Sequence, residues 1–174
     1  MTISAAGQIA GTVTRLRADP ASGLSQPTVT AELINGHARL SSGSFNWDSD
    51  LGSAIGGQGL APSPTQYLLG ALAGCAVAFL YDTLAPQFEV TIAAVQATAR
   101  CRSDIGGLVG IDGSAAALQN IELSVAVSSF DSSDRLEALF QAWRERCPIY
   151  LALIEPSGVV VDFAIARERV PVST

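Results

Sequence analysis

The sequence predicts a single α+β domain, from three observations. Apolar residues alternate strictly in two separated runs, Thr28 to Leu33 and Ile121 to Val127; a long, strongly apolar helix lies between them; and a charged amphipathic helix follows the second run. At 174 residues the chain buries roughly two-thirds of its unfolded surface as one unit, so a separate second domain is not expected.

Residues 1–27 carry Gly7, Gly11, Pro20, Gly23 and Pro27. They read as an arm, at most briefly helical from Ile9 to Leu16, ahead of a domain spanning 28–174. The first alternating run puts Val29, Ala31 and Leu33 on one side, and Asn35-Gly36 turns the chain into a second extended run, so two or three strands lead the fold. From Leu51 to Pro64 the chain is glycine-rich. Gly56, Gly57 and Gly59 lack the spacing of a phosphate-binding loop and instead permit a crossing from sheet to helix. Ser63 suits an N-cap and Pro64 a first helical position. The helix they start is expected to reach about Leu84 and stop before Pro86, with Leu68, Leu72, Cys75 and Phe79 on one face.

A strand from Glu89 to Arg102 carries Cys101, Ser103 to Gly113 is a loop, and the second alternating run is another strand. Asp131 to Asp134 caps a helix from Arg135 to about Arg146, whose stripe is Leu136, Leu139, Phe140 and Trp143. Cys147-Pro148 follows, then a short turn or helix to Pro156 and a last strand from Val159 to Ile165.

Sixteen acidic against ten basic residues give a net charge of −6, which repels polyanions. Arg15/Arg17, Arg144/Arg146 and Arg167/Arg169 cluster without the interleaved aromatics of a base-stacking surface, so nucleic acid is excluded as a partner. With 48% hydrophobic and 15% charged residues, the chain is expected to bury surface against another subunit. The run from Tyr67 to Tyr81 is too short for a membrane span. A neutral start and three cysteines without C-x-x-C spacing point to the cytoplasm and to no metal site. His37, just after a turn, reads as a surface residue.

The stretch from Gly59 through Pro62, Ser63 and Pro64 to Gly74-Cys75, together with Arg146-Cys147-Pro148 placed 147 − 75 = 72 positions later, resembles the signature of the OsmC/Ohr superfamily. The likeness covers roughly residues 30–165. It implies two antiparallel sheets wrapping long central helices in an intertwined homodimer, with the active site at the dimer interface. It also implies reduction of organic hydroperoxides without a cofactor. A thiolate at Cys75 attacks the peroxide, Cys147 resolves the sulfenic acid to a disulfide, and an external thiol or dithiol reduces it.

A thiol in an apolar helix has a raised pKa, so this chemistry needs a cation. Family peroxidases use an arginine from the early strands held by a helix glutamate. Arg39 matches the arginine best, with Arg144 and Arg146 as local competitors. The glutamate position falls on Thr65, beside Gln66, leaving Asp48 or Asp50 to substitute, or the activity to be weak or lost. Leu72 and Phe79, with Trp143 or Tyr150, would favour alkyl or fatty-acyl peroxides over hydrogen peroxide, and Thr65 and Gln66 stand with Leu72 and Phe79 as candidate substrate-binding residues. The alternative function is a non-catalytic protein binding an apolar small molecule at the same interface. Without the resemblance, Cys75 and Cys101 read as small core residues.

Overall fold

A computed structural model describes residues 4–155 and 158–165. The N-terminal arm is more ordered than expected, forming a full helix, α1 (Ala5–Ala18), capped by the Ser4 hydroxyl, which accepts from the Gly7 N–H at 3.2 Å. Gly7 and Gly11 lower its intrinsic propensity. Ile9, Val13 and Leu16 nevertheless recur at helical spacing and half-bury themselves, so packing on the rest of the chain sustains the helix.

Three strands, β1 (Thr30–Ile34), β2 (His37–Ser42) and β3 (Phe45–Ser49), form an antiparallel meander. Asn35 and Gly36, both at positive φ, make the tight turn between the first two. The glycine-rich segment then crosses to the helix through one 3₁₀ turn (Ser53–Ile55). Asp50, 6% exposed, organises it by accepting the N–H groups of Leu51 (2.8 Å), Gln58 (3.0 Å) and Leu60 (3.1 Å). Those bonds, the Leu60 N–H foremost, hold its carboxyl below the ordinary carboxylate range. At Gly57 a Cβ would lie 1.9 Å from the Leu51 carbonyl oxygen, so only glycine fits.

The central helix α2 (Pro64–Ala78) begins as the sequence indicates, with Pro64 in its first turn and a capping box between Ser63 and Gln66. Its end differs. A π-helical turn (Phe79–Leu84) leads without interruption into α3 (Ala85–Gln87), carrying the helix through Pro86. Proline has no N–H to bond and its ring crowds the carbonyl one turn back; a wide turn relieves both. The continuous helix from Pro64 to Gln87 has 24 residues and is long and apolar enough to cross a membrane by length and composition. That corrects the length read from the apolar run alone. Here its Leu72, Ala76, Leu80 and Leu84 form the buried stripe of the core.

Two long antiparallel strands, β4 (Ile92–Arg102) and β5 (Gln119–Ser129), pair as a second sheet, with the one-turn helix α4 (Ile105–Leu108) in the loop between them. Helix α5 (Ser133–Arg146) contributes Leu139, Ala142 and Trp143 to the core, while α6 (Pro148–Ile154) closes the described domain. The expected stretch holds the cap of α5: Ser132 is the capping residue, without a side-chain bond, and the helix starts at Ser133, two residues before Arg135. Asp131 accepts from the Thr91 N–H (2.7 Å) and from Arg135 (3.0 Å), pinning the helix start to the residue just before β4. Residues Val159 to Ile165, expected as a strand, are unpaired and exposed, Val160 at 98% and Phe163 at 89%. Among the described residues no strand lies beside them to supply the missing hydrogen bonds. Arg167 and Arg169 lie outside the described residues.

Candidate functional site

Cys75 sits in the second half of α2, and Cys147 is the residue at which α5 ends and α6 begins. The Cys147 N–H donates to the Trp143 carbonyl at 2.9 Å, completing α5, while Pro148 starts α6 with no donor to lose. This junction turns the Cys147 side chain inward, where it is 0% exposed. Cys75 is half-buried, and the two sulfurs are 3.1 Å apart as free thiols. A covalent bond at ~2.05 Å requires only a small approach. A core-filler reading predicts sulfurs held beyond disulfide reach, and these are not. Cys101 is half-buried on β4 and also free.

Burial first, and then the neighbouring Cys147, push the Cys75 thiol up to about 11, with a hydrogen bond from the Ile149 backbone pulling weakly the other way. Among the described residues of one chain, no cation contributes. The hydrocarbon around the pair comes from α2, α5 and α6: Leu72, Trp143 and Tyr150 face one cavity of about 370 Å³, and the two aromatic rings lie 5.2 Å apart at 37°. Phe79, one turn after Cys75, packs on the same core.

Arg39 is held on the first sheet. It stands opposite Asp48 in the β2–β3 register, donating through Nε to Oδ1 and through Nη2 to Oδ2 at 3.3 Å. The guanidinium holds the Asp48 carboxyl below its ordinary range. Of the two acids the sequence offered, Asp48 therefore partners Arg39, and Asp50 is committed to the glycine-rich crossing. His37 is not a surface residue: its ring is 13% exposed and Nε2 lies 3.5 Å from the same Asp48 oxygen. The tight turn places it on the strand face that carries Arg39, where neighbouring side chains cover it. Tyr67, unassigned by sequence reasoning, donates its hydroxyl to the Asp48 carbonyl at 2.5 Å and ties this strand to α2. Its one signal is position, a polar-tipped aromatic in the first turn of an otherwise apolar helix.

Thr65 is half-buried in that first turn, and the Gln66 side chain accepts from the Ser63 N–H at 2.7 Å, as a cap. Of the competing arginines, Arg144 bonds Glu137 (3.1 Å), and Arg146 bonds the Gln87 side chain (3.2 Å) with its guanidinium 6.0 Å from the Phe88 ring centroid. The structure thus brings together Cys75 and Cys147, with Phe79 packed on the same core, and separately Arg39 and Asp48. Among the described residues no cluster of three or more His, Cys, Asp or Glu could hold a metal.

One family model, described as OsmC-like protein, matches residues 57–162, a span that includes both cysteines of the thiol pair. The chain belongs to the OsmC-like family. The α+β fold with two small antiparallel sheets is that of solved OsmC and organic hydroperoxide resistance proteins. An OsmC-like protein from Mycoplasma pneumoniae superposes with a TM-score of 0.63 at 21% identity, covering 76% of this chain and 90% of that one. An organic hydroperoxide resistance protein OsmC from Legionella pneumophila gives 0.52 at 19%, covering 76% and 92%. A putative organic hydroperoxide resistance protein from Vibrio cholerae, with captopril bound in one of its active sites, gives 0.53 at 19%, covering 78% and 89%. No curated protein matches this OsmC-like chain significantly.

Proposed function

We propose that this OsmC-like protein is a thiol-dependent peroxidase that reduces organic hydroperoxides. The carrying observation is the 3.1 Å approach of the Cys75 and Cys147 sulfurs. The Cys75 thiolate attacks the terminal oxygen of ROOH; the O–O bond breaks, the alkoxide takes a proton to leave as ROH, and Cys75 becomes a sulfenic acid. The Cys147 thiol then displaces hydroxide from that sulfur, and with its own proton water leaves and a disulfide remains. An external dithiol returns both cysteines to thiols, which a reducing compartment such as the cytoplasm supplies.

Cys75 at about 11 is too weakly ionised to react well unaided, so the reading includes a second copy of the chain that brings a guanidinium to the thiol. Arg39, aligned by Asp48, is the candidate. Several features support a homodimer. Leu33 and Phe45 on the first sheet are 82% and 74% exposed, and the apolar run from Val159 to Ile165 has no strand partner among the described residues. On α2, a Cβ added at Gly70 or Gly74 would meet nothing within 4 Å, leaving an open stripe where a second helix can approach closely.

The test is incubation with cumene hydroperoxide followed by thiol counting at each cysteine. Loss of the Cys75 and Cys147 thiols together, and trapping of a sulfenic acid in Cys147→Ser, are expected; retention of both thiols refutes the reading. The raised Cys75 pKa and the missing acid at Thr65 favour one alternative, a non-catalytic protein that binds an apolar ligand. In that case Cys75→Ser leaves binding intact and there is no turnover to abolish.

A further inference from the structure

Helix α1 lies outside the region matched by the family model. It leans against the π-helical turn and α3 by one half-buried stripe, and none of its residues is fully buried. The incomplete seating leaves an open groove of about 510 Å³, walled by Ile9 and Val13 on one side and Phe79 on the other, with Thr12, Thr83 and Arg146 adding polar groups. That volume falls within the ~300–1,000 Å³ of small-molecule sites. Arg146 is oriented by Gln87 and the Phe88 ring, yet among the described residues it makes no ion pair, in a protein with six more acidic than basic residues. A positioned guanidinium without a counter-charge, beside an apolar wall, matches a carboxylate joined to a hydrocarbon chain. Two of its residues are close to the cysteines along the chain: Phe79 is one turn beyond Cys75 and Arg146 immediately precedes Cys147.

We infer that α1, Phe79 and Arg146 form a binding site for long-chain carboxylates, the chain lying against Ile9, Val13 and Phe79 and the head group on Arg146. Binding itself needs no peroxide. The full-length protein is titrated calorimetrically with dodecanoate and with dodecanol, below their aggregation limits. Dodecanoate binds more tightly than dodecanol. Arg146→Gln weakens dodecanoate roughly tenfold, as loss of a charge-assisted pair does, and changes dodecanol by no more than about twofold. Arg146→Lys, which keeps the charge, retains most of the affinity, and Val13→Asp weakens both ligands. Circular dichroism of each variant checks that it is folded. Absence of dodecanoate binding, equal loss of both ligands in Arg146→Gln, or no effect of Val13→Asp overturns the inference. So does a Val13→Asp variant that changes oligomeric state while neither ligand binds, because the groove is then a contact between copies. Carboxylate binding without thiol loss to cumene hydroperoxide defeats only the peroxidase reading; thiol loss without carboxylate binding defeats only this one.

Discussion

Arg39→Gln tests whether a guanidinium reaches the nucleophile. Burial and Cys147 set the Cys75 thiol at about 11 against an ordinary 9.0, so at pH 7 a single chain holds about one thiolate in ten thousand. A guanidinium beside the sulfur lowers a thiol pKa by ~1–3 units. A drop of about two units multiplies the thiolate population ~100-fold, but each thiolate becomes less nucleophilic. With a Brønsted coefficient near 0.5 that penalty is about tenfold, so the net gain in rate at pH 7 is about tenfold. Arg39→Gln is therefore expected to slow iodoacetamide alkylation of Cys75 about tenfold at pH 7. The midpoint of its pH profile should rise by about two units, toward 11, because loss of the cation favours the protonated thiol. The assay follows the Cys75 peptide by mass spectrometry from pH 6 to 11.5, with size-exclusion chromatography to show that the variant keeps its assembly state. Superimposable profiles for the two proteins refute the argument, since Cys75 would then ionise without help from Arg39.

Gly70→Leu and Gly74→Leu project into open space in one chain and should leave its fold and melting cooperativity intact while converting the proposed dimer to monomer on size-exclusion chromatography. Leu139→Ala empties a fully buried core position and is expected to cost about 2–5 kcal/mol in urea unfolding. Gly57→Ala drives a methyl group into the Leu51 carbonyl and should cost about 2 kcal/mol or more by the same measurement. Ser63→Ala removes half of the α2 capping box and is expected to cost about 1 kcal/mol.

Elements fixed by local chemistry were legible in the sequence. Asn35-Gly36 set the first hairpin, Ser63-Pro64 set the start of α2, and strict alternation marked β5. What escaped reading depends on distant partners. Pro86 signals a helix end by its own geometry, and only the π-helical turn before it lets the helix continue. Glycines in α1 argue against a helix that packing on the π-helical turn sustains. Val159 to Ile165 has the composition of a strand, but composition cannot supply a neighbour, and no described part of this chain does. Within the site, the thiol pair was anticipated from Cys147-Pro148 and the α2 signature. The burial of His37 and the hydroxyl of Tyr67 on β3 are tertiary facts with almost no local trace.

On the proposed reading, the acid that aligns Arg39 offsets a departure at another position. A carboxylate at position 65 would have risen from the first turn of α2; Thr65 offers none, and Asp48 provides it from the strand beside Arg39. Because the pair spans two hydrogen-bonded strands, its geometry is set by sheet register, and Tyr67 fixes the sheet to α2. The arginine can thus be aligned within one chain before any partner is met, while the thiols are already in contact within that same chain. On the proposed reading, assembly brings one prepared half to the other, and reactivity follows dimerisation. Dilution below the dimer dissociation constant should then slow Cys75 alkylation toward the Arg39→Gln rate. Disulfide formation by a small oxidant such as diamide, which needs only the intrachain sulfur pair, should change far less. Equal loss of both on dilution would place the guanidinium requirement at the sulfur pair itself, contrary to this division of labour.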